Sequence, residues 1–136
     1  MRRPFPNRLA RIALLAALLP LPALAQAPGQ DSVGEAAWVR KRAAQLQALD
    51  KVTARITVLD ATVNQPVRFG SLTITVLACN ARPPDEVPDA AAFIEVRDTV
   101  GSPTAPPAFR GWMLANAPAA HMLEHPVYDL RILDCR

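Results

Sequence analysis

The chain has 136 residues, with 15 Lys and Arg against 12 Asp and Glu, for a formal net charge of +3. Four of the bases lie in the first eleven residues, so the chain after Ala25 carries eleven bases and twelve acids, net −1. The basic balance belongs to the N-terminus. No later basic run exceeds Arg40-Lys41-Arg42, which argues against nucleic acid as a partner.

Met1 to Arg11 holds Arg2, Arg3, Arg8 and Arg11 and no acid, and Ile12 to Ala25 is almost wholly apolar. The run closes on Ala23-Leu24-Ala25 before polar Gln26. A positive segment, a short apolar segment and a small-x-small site make up a secretory signal peptide. The apolar run is 14 residues long and contains Pro20 and Pro22. A spanning helix needs about 20 apolar residues, so the expectation is cleavage after Ala25, release into the periplasm and no stable membrane insertion. With no cysteine near that site, a lipid-modified N-terminus is not expected.

Residues 26–48 read as a spacer followed by a short helix. Ser32-Val33-Gly34-Glu35 has the form of a capping box. Ala36 to Leu49 is rich in helix formers, with Val39, Ala43, Leu46 and Leu49 at helical spacing. From residue 49 to 136 the period falls to two. Val52, Ala54, Ile56 and Val58 predict a half-buried strand. Short strands follow at Val67–Phe69, Leu72–Ala78, Ala92–Arg97, Phe109–Asn116 and Val127–Cys135. Asn64-Gln65-Pro66, Gly70-Ser71, the stretch from Arg82 to Asp89 and the stretch from Gly101 to Pro107 are the turns and loops between them. The fold class is therefore mainly β, a small β-sandwich or barrel of about six short strands behind an N-terminal helix.

The two cysteines, Cys79 and Cys135, both lie beyond the expected cleavage site, and an even pair in an oxidising compartment reads as a disulfide. Each follows a leucine by two residues (Leu77, Leu133) where its strand turns apolar on both faces. The two strand ends are therefore expected together in one buried region.

Leu49-Asp50-Lys51-Val52-Thr53-Ala54, the segment from Pro66 to Leu72, Ala78-Cys79 with Arg82-Pro83-Pro84, the segment from Ala91 to Glu95, Gly111-Trp112-Met113, and the segment from Leu123 to Asp129 together resemble domain-of-unknown-function family 2155. That is a family of exported bacterial proteins. The resemblance spans roughly Leu49 to Cys135 and implies export and the cysteine pair. It implies no activity and no catalytic residue.

His121-Met122-Leu123-Glu124-His125 matches the His-x-x-Glu-His form of inverted zinc peptidases. That chemistry needs both imidazoles on one helical face, the glutamate as base and a third ligand. Pro118 and Pro126 bracket the segment, and the only acidic cluster available is Asp85, Glu86 and Asp89. The expectation is a surface loop and not a metal site, with a metal-dependent hydrolase or metal-binding protein as the alternative. Ser32, Ser71 and Ser102 lack a Gly-x-Ser-x-Gly setting. Glu95 and Asp98, three apart on one strand, point to opposite faces and form no glycosidase pair. Trp38, Trp112 and Tyr128 read as too scattered for a sugar platform, with Trp112 in the core. No cofactor is expected. The function that remains is a non-catalytic exported module of the envelope, with an envelope protein or a cell-wall component as its partner.

Overall fold

The computed structural model describes residues 37–136, so the expected signal peptide and spacer lie outside the described residues. Eight strands form two antiparallel sheets: β1 (Val39–Arg40), β2 (Ala43–Asp50), β3 (Arg55–Thr62), β4 (Pro66–Phe69), β5 (Leu72–Ala81), β6 (Ala90–Asp98), β7 (Phe109–Leu114) and β8 (Tyr128–Cys135). One sheet runs β5-β6-β7, with β4 and β1 sharing the other edge of β5. The second runs β3-β2-β8. The sheets enclose one core of Leu46, Leu72, Ile74, Val76, Ile94, Val96 and Ile132 among others, and they do not close into a barrel.

The expected helix is instead β1 and β2. Ala44, Leu46 and Ala48 are each 0% exposed and alternate with half-buried Ala43, Gln45 and Gln47. Alanine hid that period, because it suits a helix and contributes little to an apolar pattern. Pairing on both sides, to β3 and β8, overrode the local propensity. The sandwich thus takes in residues that were expected to precede it. β3 also differs from expectation. Asp50 accepts the N–H groups of Val52 and Thr53 at 2.9 and 3.0 Å, folding Lys51–Ala54 into a turn that ends with Ala54 at φ 54. The strand therefore starts at Arg55. Thr57, Leu59 and Ala61 face inward, while Ile56 and Val58 face solvent, the reverse of the alternation read from Val52. A slip of one residue exchanges the two faces.

The leucines before the cysteines have a specific role. In β5 the register with β6 shifts between Val76 and Ala78, and in β8 the register with β2 shifts between Ile132 and Asp134. Leu77 and Leu133 are the extra residues of two β-bulges. Each bulge flips the parity of its strand, so Leu72, Ile74 and Val76 point inward, and then Cys79 and Ala81 do. On β8, Leu130 and Ile132 are followed inward by Cys135. Cys79 and Cys135 meet there, one from each sheet, with Cα atoms 5.6 Å apart, and their disulfide joins the two layers.

At the opposite end, Gly70 and Ser71 connect β4 to β5 in a two-residue hairpin. Gly70 has φ +57 and Ser71 does not have positive φ, which fits a type II′ turn. The absent Cβ also matters. One built at Gly70 would lie 2.2 Å from the Tyr128 hydroxyl oxygen. Tyr128, from β8, meets Phe69 edge-on at 5.4 Å and stacks on His125 at 5.2 Å.

Candidate binding face and the histidine segment

Pro118–Ala120 makes one turn of 3₁₀ helix, the chain leaves it extended at His121, φ −157, and no helix follows before β8. A segment without helix does not place residues four apart on a common helical face. His121 Nδ1 lies 3.1 Å from the Trp112 carbonyl, which only accepts, so this nitrogen carries the proton and donates. The ring sits over Gly111, where an added Cβ would meet it at 2.3 Å, and tilts against Phe109 at 5.1 Å. His125 turns elsewhere. Its Nδ1 accepts the N–H groups of Val127 and Tyr128 at 3.2 and 3.1 Å, which leaves Nε2 to donate to Asp98 at 3.0 Å. Both His125 nitrogens are thus committed, and neither is free as a base or a ligand. Glu124 is exposed. Of the acidic cluster, Glu86 faces Arg82 at 3.8 Å and Asp89 accepts the N–H groups of Ala90 and Asn116. Among the described residues no group of three His, Cys, Asp or Glu is placed to hold a metal ion.

Asp98 anchors the end of β6. Its carboxylate accepts the Val100 N–H at 3.0 Å and the His125 Nε2–H, and Ser71 adds a further hydrogen bond. Chiefly through the Val100 bond, these hold its pKa at about 2, below the ordinary 3.8. The pairing is a structural corner that ties the β8 approach to the β6 exit. Glu95 lies on the other face of β6 and binds Arg97 at 2.8 Å and Arg110 at 3.3 Å. The two carboxylates do not face one another across a site.

The more open surface is the outer face of the five-stranded sheet. Along β7, Phe109, Gly111 and Met113 point inward and Arg110 and Trp112 outward. Trp112 is 44% exposed, so the expectation that it belongs to the core is corrected: Phe109 and Met113 hold the inward positions. Trp38, just ahead of β1, is 38% exposed on the same face. Trp38, Asn80, Ala91, Trp112 and Leu114 line a shallow groove of ≈ 360 Å³. The Arg82 guanidinium lies 4.2 Å over the Trp38 ring. Phe93 meets Trp112 at 5.4 Å with the rings inclined by 59°, and Arg110 lies 5.9 Å from the Phe93 centroid. Tyr128 is not part of this face.

Two tryptophans 74 residues apart share one groove because β1 and β7 both flank the β5–β6 pair. Sequence spacing alone shows neither that proximity nor the 27-residue step from Asp98 to His125. The one local signal was the alternation of Phe109, Gly111 and Met113 against Trp112. No helix among the described residues is long and apolar enough to cross a membrane.

No curated protein and no solved structure matches the chain significantly. Residues 44–135, which take in strands β2 to β8 and both cysteines, match a family described as an uncharacterised protein conserved in bacteria (DUF2155), and the chain belongs to that family.

Proposed function

We propose that this protein is exported to the periplasm and acts there as a non-catalytic binding module of the cell envelope, docking a protein partner in the groove between Trp38 and Trp112. The observation that carries the reading is the exposure of two tryptophans on one groove of the outer sheet face, lined also by Asn80, Ala91 and Leu114. Tryptophan and arginine are the residues most enriched at the energetic centres of protein interfaces. Arg82 stands over the Trp38 ring, and Arg110 lies near Phe93, the neighbour of Trp112. The geometry favours a protein over a wall glycan. A sugar stacks on a free, flat ring face, whereas Arg82 covers one face of Trp38 and Trp112 is inclined to its neighbour Phe93. Export is supported by the charged, apolar and small-residue order of the first 25 residues and by the disulfide. Mass spectrometry of the periplasmic protein should find Gln26 as the first residue. An intact Met1 would refute the export reading.

The binding reading is tested by placing a photoreactive residue at position 112 in living cells, with position 100 as the control, since Val100 is 81% exposed in the loop after β6 and does not line the groove. The expected result is one discrete protein adduct at position 112, absent at position 100 and lost on adding Trp38→Ala. No adduct, the same adduct at both positions, or retention of the wild type on protein-free wall sacculi would overturn it.

A further inference from the structure

We propose that β3 is a dimerisation edge through which two copies of this chain join antiparallel into a continuous six-stranded sheet. β3 hydrogen-bonds to β2 alone. Among the described residues, no backbone group outside β2 meets Arg55–Ala61. A row of unpaired N–H and C=O groups on a strand edge is a template for another strand, and edges are ordinarily guarded by Lys, Pro, a bulge or a covering loop. Among the described residues β3 has none of these, and its charges stand at Arg55 at one end and at Asp60 toward the other, where Asp60 pairs with Arg136. It runs eight residues without Lys or Pro, and its register with β2 is unbroken from Arg55↔Asp50 to Thr62↔Ala43. The other long edges differ from it. The Trp112 carbonyl of β7 accepts from His121, and β8 carries three charges, Asp129, Arg131 and Asp134, along its eight residues. β1 and β4 are only two and four residues long.

The side chains of β3 suit a second copy. Ile56 is 58% and Val58 54% exposed, both on the outer face, with Leu49 beside Ile56 in the neighbouring strand. A two-fold axis normal to the sheet pairs residues of like parity. With the axis at Thr57, Thr57 faces the partner's Thr57 and Ile56 faces the partner's Val58, twice over. All of these are β-branched pairs that favour sheet association. Asp60 then falls one position from the partner's Arg55, so the ends of the paired segment carry opposite charges. Moving the axis to Val58 would set Asp60 against the partner's Ile56, which disfavours that register. The interface is isologous and therefore closed.

The test uses protein recovered from the periplasm after expression of the full chain. Its mass is followed by sedimentation over a wide concentration range, because an interface of this size is at the weak end of specific ones. The expected result is a rise from monomer to twice that mass, with amide shift changes on dilution confined to residues 55–61. Val58→Lys should weaken the dimer by at least about tenfold, a difference that a charge placed at the strand junction readily supplies. The exposure of Val58 means the variant keeps the thermal midpoint of dilute wild type, and Ile56→Lys serves if it does not. Under oxidation, Thr57→Cys should cross-link to itself. Trp112→Ala, on the other sheet, should leave the mass unchanged, which separates this inference from the proposed binding groove. A monomer at every concentration, or association indifferent to Val58→Lys and Ile56→Lys, overturns the proposal. A dimer without the Thr57→Cys adduct overturns the register.

Discussion

Gly70→Ala probes two physical effects at one position. Alanine at φ +57 is in the left-handed region, which costs about 1–2 kcal/mol for a residue with a Cβ. The new methyl would also lie 2.2 Å from the Tyr128 hydroxyl oxygen and 2.5 Å from Cζ. Carbon contacts are comfortable at about 3.5 Å or more, so the ring must retreat by more than 1 Å. That displaces it from Phe69 and His125, contacts worth roughly 0.5–1.5 kcal/mol each. The expected loss is therefore about 2–5 kcal/mol, read as a lower urea midpoint at pH 7 with the disulfide intact and the denaturant slope unchanged. The two effects separate in a double-mutant cycle. In a Tyr128→Ala background only the backbone part remains, and Gly70→Ala should cost about 1–2 kcal/mol. Tyr128→Phe removes the nearest atom but leaves Cζ, so it should relieve the penalty in part. A cost below about 0.5 kcal/mol in the wild type, or the same cost in both backgrounds, would refute this account of the Gly70–Tyr128 contact.

Two further outcomes are expected. Reducing the Cys79–Cys135 bond, or replacing both cysteines with alanine, frees a loop of about 57 residues and should lower stability by about 4 kcal/mol from chain entropy; an unchanged melting temperature after verified reduction would count against the bond as a major support. For Asp98, whose pKa falls to about 2 from an ordinary 3.8, the folded carboxylate holds its proton less tightly than the unfolded one. Its stabilisation is therefore fully present above about pH 4 and is lost as pH falls through 2. Asp98→Asn should flatten the acid limb of the stability–pH curve in that window, and a limb as steep as in the wild type would reject the assignment.

The strands from β4 to β8 were legible because large apolar residues alternate there, aliphatic in β5 and β8 and partly aromatic in β4, β6 and β7, and Gly, Pro and Asn punctuate them. β2 was not, since its inward set is two alanines and one leucine. Period two written in alanine is nearly silent, and the same stretch satisfies a helical spacing through Leu46 and Leu49. β3 misled for a different reason. Val52, Ile56 and Val58 carry more apolar surface than the Thr57, Leu59 and Ala61 that face the core, so pattern strength pointed to the wrong face. The neighbourhood of the two cysteines was readable from the leucines ahead of them. What read as apolar character on both faces was a bulge turning each strand over. The partners of His121 and His125 were beyond the reach of the sequence, because they depend on how the connection from β7 to β8 lies along the side of the sandwich. So was the Trp38–Trp112 groove, which exists only because β1 and β7 flank the β5–β6 pair.

The two ends of this sandwich are held by different kinds of link. β5 and β8 both run from the Gly70–Tyr128 end toward the disulfide, so one end is closed covalently and the other by an aromatic ring against a glycine and a histidine between a carboxylate and two amides. A domain fastened in this way opens like a book on its spine. Transient separation of the layers begins at the clasp, with the hinge still joined, and amide protection should rise along β5 and β8 toward their C-terminal ends. Re-closure then needs no search for the partner layer, because the hinge keeps the facing residues within a few ångströms of each other. The clasp can be made and broken many times, while the hinge, a covalent bond, is set once.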